Sequence, residues 1–258
     1  MTKKEYFQIF NLIGFIATVI VNFLAVLLPI GDMTTQELSD AIPNLFVPAG
    51  ITFSIWSIIY IFLGLFSIYQ IRDIFKEDKI EMKFLNDIGY FFILGSLANI
   101  IWIFVWHYQL VPLSLIFMIV LLVSLLLIYM KLNIGKSEVS KIEKIAVHIP
   151  FSIYLGWISV ATIANITAVL VVLGVSGFGL LAEILTIIVI AVVVLITFAM
   201  LLLRKDCAYS LVIFWALLGI FIKQSVTNLT IAIVALISGI LIIVGIVYII
   251  IREKILRK

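Results

Sequence analysis

The sequence predicts an all-α polytopic membrane bundle of eight transmembrane helices, and three observations lead there. Of the 258 residues 65% are apolar and only 12% are charged, with a mean hydropathy of +1.33. A soluble domain carries about 25% charged residues, and a water-soluble fold of this size could not hide so much apolar surface. The apolar residues gather in segments at about 8–29, 48–70, 86–106, 110–132, 146–170, 179–203, 208–222 and 229–251, near the roughly 20 residues that a bilayer span requires. With the N-terminus placed in the cytoplasm and the spans alternating, every one of the 17 basic residues except Lys223 falls on the inner side. That bias sets orientation, and a missed or invented span would break it.

Taken in order, the first span follows Lys3 and Lys4 and continues as Leu27-Leu-Pro-Ile-Gly-Asp32 without a small-x-small cleavage site. It is therefore read as a retained helix rather than a signal peptide. The first outer connection, 30–47, carries Asp32, Glu37 and Asp40 and no base. Pro48 suits the first turn of the second span, where no N–H donor is needed. Asp87 lies near the inner start of span three and Glu183 near the outer start of span six, both within reach of the interface by extension of the side chain. Spans three and four form a tight hairpin through His107-Tyr108-Gln109, with Trp106 and Tyr108 assigned to the interfacial aromatic belt. Pro150 starts or kinks span five. The connection Val171–Phe178 is Gly-rich and uncharged, and the aliphatic remainder of the chain holds only one of the five Trp, Trp215. Runs such as 187–196 would suggest strand in water, but in lipid the backbone must bond within its own segment and forms helix. The shift in composition places a boundary near 175, dividing 1–175, a five-helix part, from 176–258, three further helices.

Three helical faces combine rings with polar atoms: Thr52, Phe53, Trp56 and Tyr60; Phe92, Gly95, Asn99, Trp102 and Trp106; and Tyr154, Trp157, Ala161 and Asn165. Each set falls on one arc at the helical period. Such faces fit two readings: helix packing with interfacial anchoring, or the walls of a ligand pocket. Hydrolytic catalysis and metal binding have no support. Cys207 is the only cysteine, so neither a disulfide nor a cysteine cluster can form within the chain. His107 and His148 fall at opposite membrane faces, and no hydrolase, zinc-protease or phosphate-loop motif occurs. The net charge of +3 gives no reason to invoke nucleic acid.

The stretch Phe46-Val-Pro-Ala-Gly-Ile-Thr-Phe-Ser-Ile-Trp56-Ser-Ile-Ile-Tyr60 resembles the second-helix signature of the tryptophan-rich sensory protein family (TspO, the translocator or peripheral benzodiazepine receptor family). Leu97-Ala-Asn99-Ile-Ile-Trp102 resembles its third-helix element, and Pro150-Phe-Ser-Ile-Tyr154-Leu-Gly-Trp157-Ile-Ser-Val-Ala161-Thr-Ile-Ala-Asn165 its fifth. The resemblance covers about residues 1–170. It implies a five-helix bundle around a pocket for tetrapyrroles, sterols or synthetic aromatic ligands, with Trp56, Asn99, Trp102, Tyr154, Trp157 and Ala161 as ligand-binding residues; Tyr60 and Asn165, which share their faces, complete the expected site. Residues 30–47 depart from the family in lacking Trp, and Ala168-Val-Leu-Val-Val replaces the aromatic and basic tail of its fifth helix.

The expectation is a sensory or ligand-handling protein of a prokaryotic plasma membrane with both termini cytoplasmic. No cofactor is required, and the bound molecule is a porphyrin, a heme-like tetrapyrrole or a lipid-like compound. Its partners are the bilayer, that hydrophobic molecule and a second copy of the chain. The alternatives are a transporter of a small hydrophobic molecule, a scaffold for another membrane subunit, and photo-oxidative degradation of porphyrin involving Trp56 and Trp157. The last three helices are expected to be dispensable for forming the pocket.

Overall fold

The computed structural model describes residues 2–28 and 30–256. Among them, seven helices are long and apolar enough to cross a membrane, and an eighth, Phe91–His107, is equally apolar but shorter. The chain is an integral, multi-pass membrane protein.

Among the described residues, five of the helices begin where a polar side chain satisfies amides that a helix start leaves free. α1 (Lys3–Leu27) opens on a reciprocal Thr2–Glu5 capping box. α2 (Thr35–Ala41), in the first connection, opens on the same device from Thr34 and Glu37. A 3₁₀ turn (Gly50–Ser54) leads into α3 (Ile55–Gln70). The short α4 (Lys83–Ile88) precedes α5 (Phe91–His107), which turns back through Tyr108 and Gln109 into α6 (Val111–Lys131). After α7 (Lys141–Glu143), capped by Ser140, a π-helical turn (Lys144–His148) runs directly into α8 (Ile149–Val172). α9 (Leu180–Arg204), α10 (Cys207–Thr227) and α11 (Leu229–Leu256) follow. The side chain of Asp206 accepts from the Tyr209 amide at the head of α10, and that of Asn228 from the Ile231 amide at the head of α11.

α1, α5, α6, α8 and α3 close a ring in that order, while α10 docks on α8 and carries α9 and α11 behind it. The ring's core is aromatic: Phe66 lies 5.3 Å from Phe92 and 5.0 Å from Phe151, all edge to face.

Three details differ from the sequence expectations, and a fourth, at Pro150, agrees with them. Pro48 is not in the first helical turn: the chain at 47–49 is irregular, and the Ala49 N–H donates to the Gly219 carbonyl of α10 at 3.0 Å. Span three does not begin near 86. Gly89, at φ +54°, ends α4 and redirects the chain, so Asp87 belongs to a separate short helix. Pro150 stands in the first turn of α8 as expected, with a π turn leading into it in which the Ile149 N–H reaches the Lys144 carbonyl. Trp106 is not in an exposed belt: it is 5% exposed, stacked on Trp102, with its Nε1–H directed at the Thr35 carbonyl. α2 folds over it and shields it. Tyr108 is exposed as expected.

Bonds between distant segments define two ends. At one end Lys4 pairs with Asp73, Lys79 with Glu5 and Lys205 with Glu253, and Arg204 donates to the Ile134 carbonyl. At the other, Lys223 pairs with Asp40 at 2.6 Å, and Asn228 donates to Glu183 at 2.7 Å. The one base that departs from the charge alternation therefore sits at the acidic end, held by an aspartate of the first connection.

Candidate functional site

A cavity of about 690 Å³ opens near the acidic end, between α1, α3, α2 and α5. Its aromatic lining comes from Phe23, Phe53, Trp56, Tyr60 and Trp102, and its polar lining from Asn22, Thr34, Thr35, Gln36, Ser54 and Ser57. The capping box of α2 aims that helix's first residues at the cavity, and the Gln36 side chain lies directly over Gly50. Any side chain at residue 50 would overlap the Gln36 amide.

Trp56 is the hub of the rings. It stacks on Tyr60 at 5.5 Å and meets Tyr154 and Trp157 edge to face, each at 6.2 Å. Trp157 in turn meets Phe53 at 5.8 Å. Behind the wall made by Trp56 and Trp102 lies a void of about 40 Å³ that Trp157, Ala161 and Asn165 help to line. Trp102 is fixed twice, by stacking on Trp106 at 5.8 Å and by donating to Asn165 Oδ1 at 3.1 Å. The Asn165 amide donates to Ser114 Oγ at 2.9 Å. Asn99 is fully buried: its Oδ1 accepts from Asn22 at 2.7 Å and its amide donates to the Tyr154 hydroxyl at 3.2 Å.

Of the eight residues predicted for the site, Trp56, Tyr60 and Trp102 line the larger cavity. Trp157, Ala161 and Asn165 line the smaller void together with Trp56 and Trp102. Asn99 and Tyr154 line neither, and hold α5 to α8 through their mutual bond. Within these eight residues two buried donors have no partner, the Tyr60 hydroxyl and Trp157 Nε1–H. Buried polar groups are normally bonded, so these two are available to something placed among the rings.

The arrangement of rings and amides around a cavity under the first connection agrees with a comparison across the whole chain: the family model described as TSPO-like protein matches residues 8–248. The chain belongs to the TSPO-like protein family. No curated protein and no solved structure matches it. The match runs past residue 170, through most of α11, so α9, α10 and α11 of this TSPO-like protein fall within the region that the family model describes.

Sequence reasoning missed Asn22, Phe23, Thr35, Gln36 and Ser57. Asn22 carried a usable signal, an amide inside an apolar span, since such a group needs a partner in lipid. Thr34-x-x-Glu37 was also readable as a helix start, although nothing in the sequence showed that the helix folds over the bundle. α10 is the other participant that spacing could not reveal. Trp215 Nε1–H donates to the Thr52 carbonyl at 3.0 Å, and Gln224 to the Leu45 carbonyl at 3.1 Å. The irregular segment before α3 is thus braced by α10, directly behind the wall of the TSPO-like cavity.

Proposed function

We propose that this TSPO-like membrane protein binds a flat hydrophobic molecule, a tetrapyrrole or a lipid-like ring compound, in the aromatic cavity, and serves a sensory or ligand-handling role. The carrying observation is the cavity itself. Its volume of about 690 Å³ falls within the range of small-molecule sites, roughly 300–1,000 Å³, and it combines an apolar lining with a few convergent polar groups. Rings such as Trp56 and Trp102 offer large stacking area at low cost in conformational entropy, while Tyr60 and Asn22 supply orientation. Every residue lining the cavity precedes position 104. On this reading 1–175 is the ligand-binding part, and 176–258 braces it through α10. The charge bias supports placing both termini and the basic end in the cytoplasm, with the cavity toward the opposite leaflet.

Native mass spectrometry of protein purified in mild detergent tests the reading. A small hydrophobic adduct is expected, and it should be lost or weakened at least several-fold in Trp56→Leu and Trp102→Leu, since a stacking ring is worth about 1 kcal/mol. The reading fails if folded wild-type protein carries no adduct and an uncharged aromatic probe leaves its Trp fluorescence unchanged.

A further inference from the structure

We infer that the cavity selects an uncharged ring ligand and rejects dianionic ones, so that a tetrapyrrole is taken with its carboxylates masked or absent rather than as the free dicarboxylic acid. This rests on the ligand-binding reading above and deepens it to a chemical class. Tetrapyrroles and lipid-like rings exist in both charged and neutral forms, and the electrostatics of this end of the molecule separate the two.

None of the described residues that line the cavity is Lys, Arg or His. Its polar groups are all neutral, amides and hydroxyls from Asn22, Gln36, Ser57 and Tyr60 among them. The nearest imidazole, His107, is buried behind Thr35: its Nδ1 faces the Ile103 carbonyl at 2.7 Å and its Nε2 lies 3.4 Å from Thr35 Oγ1. Thr35, which lines the cavity, stands between that ring and the open space. Lys223, the base at this end, is engaged by Asp40. The start of α2 offers no anion site either. Its capping box is closed by Glu37, whose carboxylate accepts from the Thr34 amide at 2.7 Å and whose own amide donates to Thr34 Oγ1. Those bonds hold the Glu37 carboxyl below its ordinary pKa, so a fixed negative charge stands beside the mouth.

A ligand carboxylate drawn into this cavity would lose its hydration and meet no cation. An unpaired buried charge is far more costly than an unpaired neutral group, and a site discriminates as much by such penalties as by its attractive contacts. A neutral ligand meets the opposite situation. Its ring covers Trp56 and Trp102, and an ester, ketone or hydroxyl oxygen can accept from the neutral donors of the lining, the Gln36 amide among them.

The test compares protoporphyrin dimethyl ester with protoporphyrin free acid by quenching of Trp fluorescence, on the full chain in neutral detergent near pH 7.5. Only quenching that Trp56→Leu abolishes is counted, which removes partition into the micelle. The ester is expected to bind at least about tenfold more tightly than the diacid. Gln36→Arg, which supplies a cation at the roof, should shift the acid-to-ester affinity ratio toward the acid by at least several-fold. Equal or tighter binding of the acid to the wild-type protein, or an unchanged ratio in Gln36→Arg, overturns the inference while leaving the cavity reading intact. Failure of both porphyrins to bind overturns the two together.

Discussion

Asp73 shows how one residue fixes the basic end. It follows α3 and is buried, yet its carboxylate is well supplied. It takes an ion pair from Lys4, a bond from Gln8 at 2.8 Å and one from the Ile80 amide at 2.7 Å. Burial alone would raise its pKa, but these partners outweigh it and hold the carboxyl at about 2, against about 3.9 for a free aspartate. A depressed folded-state pKa stabilises the fold fully above the unfolded value, and that stabilisation is lost as pH falls through the folded one. Asp73→Asn is therefore expected to cost about 1–2 kcal/mol at pH 5–7. The gap in thermal midpoint between variant and wild type should narrow as the pH drops from 4 toward 2. A gap of the same size at pH 7 and pH 2.5 would show that shape, not charge, is what Asp73 provides.

At the scale of elements, the telling contact is between α10 and the turn before α3. Gly219 sits where a Cβ would overlap Thr52 Oγ1 and come within 2.9 Å of the Pro48 side chain. The close approach lets the Ala49 N–H reach the Gly219 carbonyl in mid-helix. On a free helical surface Gly→Ala stabilises by up to ~1 kcal/mol. Here Gly219→Ala is expected to destabilise by ~1–3 kcal/mol, the usual cost of forcing bulk into a packed contact, and to loosen the Phe53–Trp56 wall. Adding Thr52→Ala should restore part of the loss. Thermal midpoints in detergent decide it: a Gly219→Ala protein as stable as wild type would mean that α10 does not brace the turn.

For the molecule as a whole, the proposed orientation follows from the distribution of bases and from an even number of crossings. Cysteine labelling on intact cells, in a background lacking Cys207, should leave positions 76, 138 and 205 protected from an impermeant reagent and position 36 reactive. External labelling at 76 or 138 would overturn the orientation. The cross-bonds argue that each end is ordered as a unit. At one end residues 4 and 73 and residues 205 and 253 pair across the bundle. At the other, residues 40 and 223 do so.

The sequence by itself determined the class, the crossings and the two ends, because a bilayer imposes length and apolarity on every span and charge placement on every loop. It also determined the aromatic faces, since Trp56 and Tyr60, or Trp157 and Ala161, share a face at helical spacing whatever surrounds them. Only the tertiary structure decided which members of those faces meet open space. Lipid is as apolar as a core, so the hydrophobic pattern that separates inside from outside in water carries little information here. Asn99 and Tyr154 have the same spacing signal as Trp56, yet they bond to each other, and Asn99 to Asn22, and hold helices together. Asn22, Gln36 and Trp215 reach the site or its support only through chain segments that the bundle brings together. Trp215 and Thr52, bonded to each other, lie 163 positions apart in the chain. No local period encodes a contact of that range, because it is settled by how the packed helices cross.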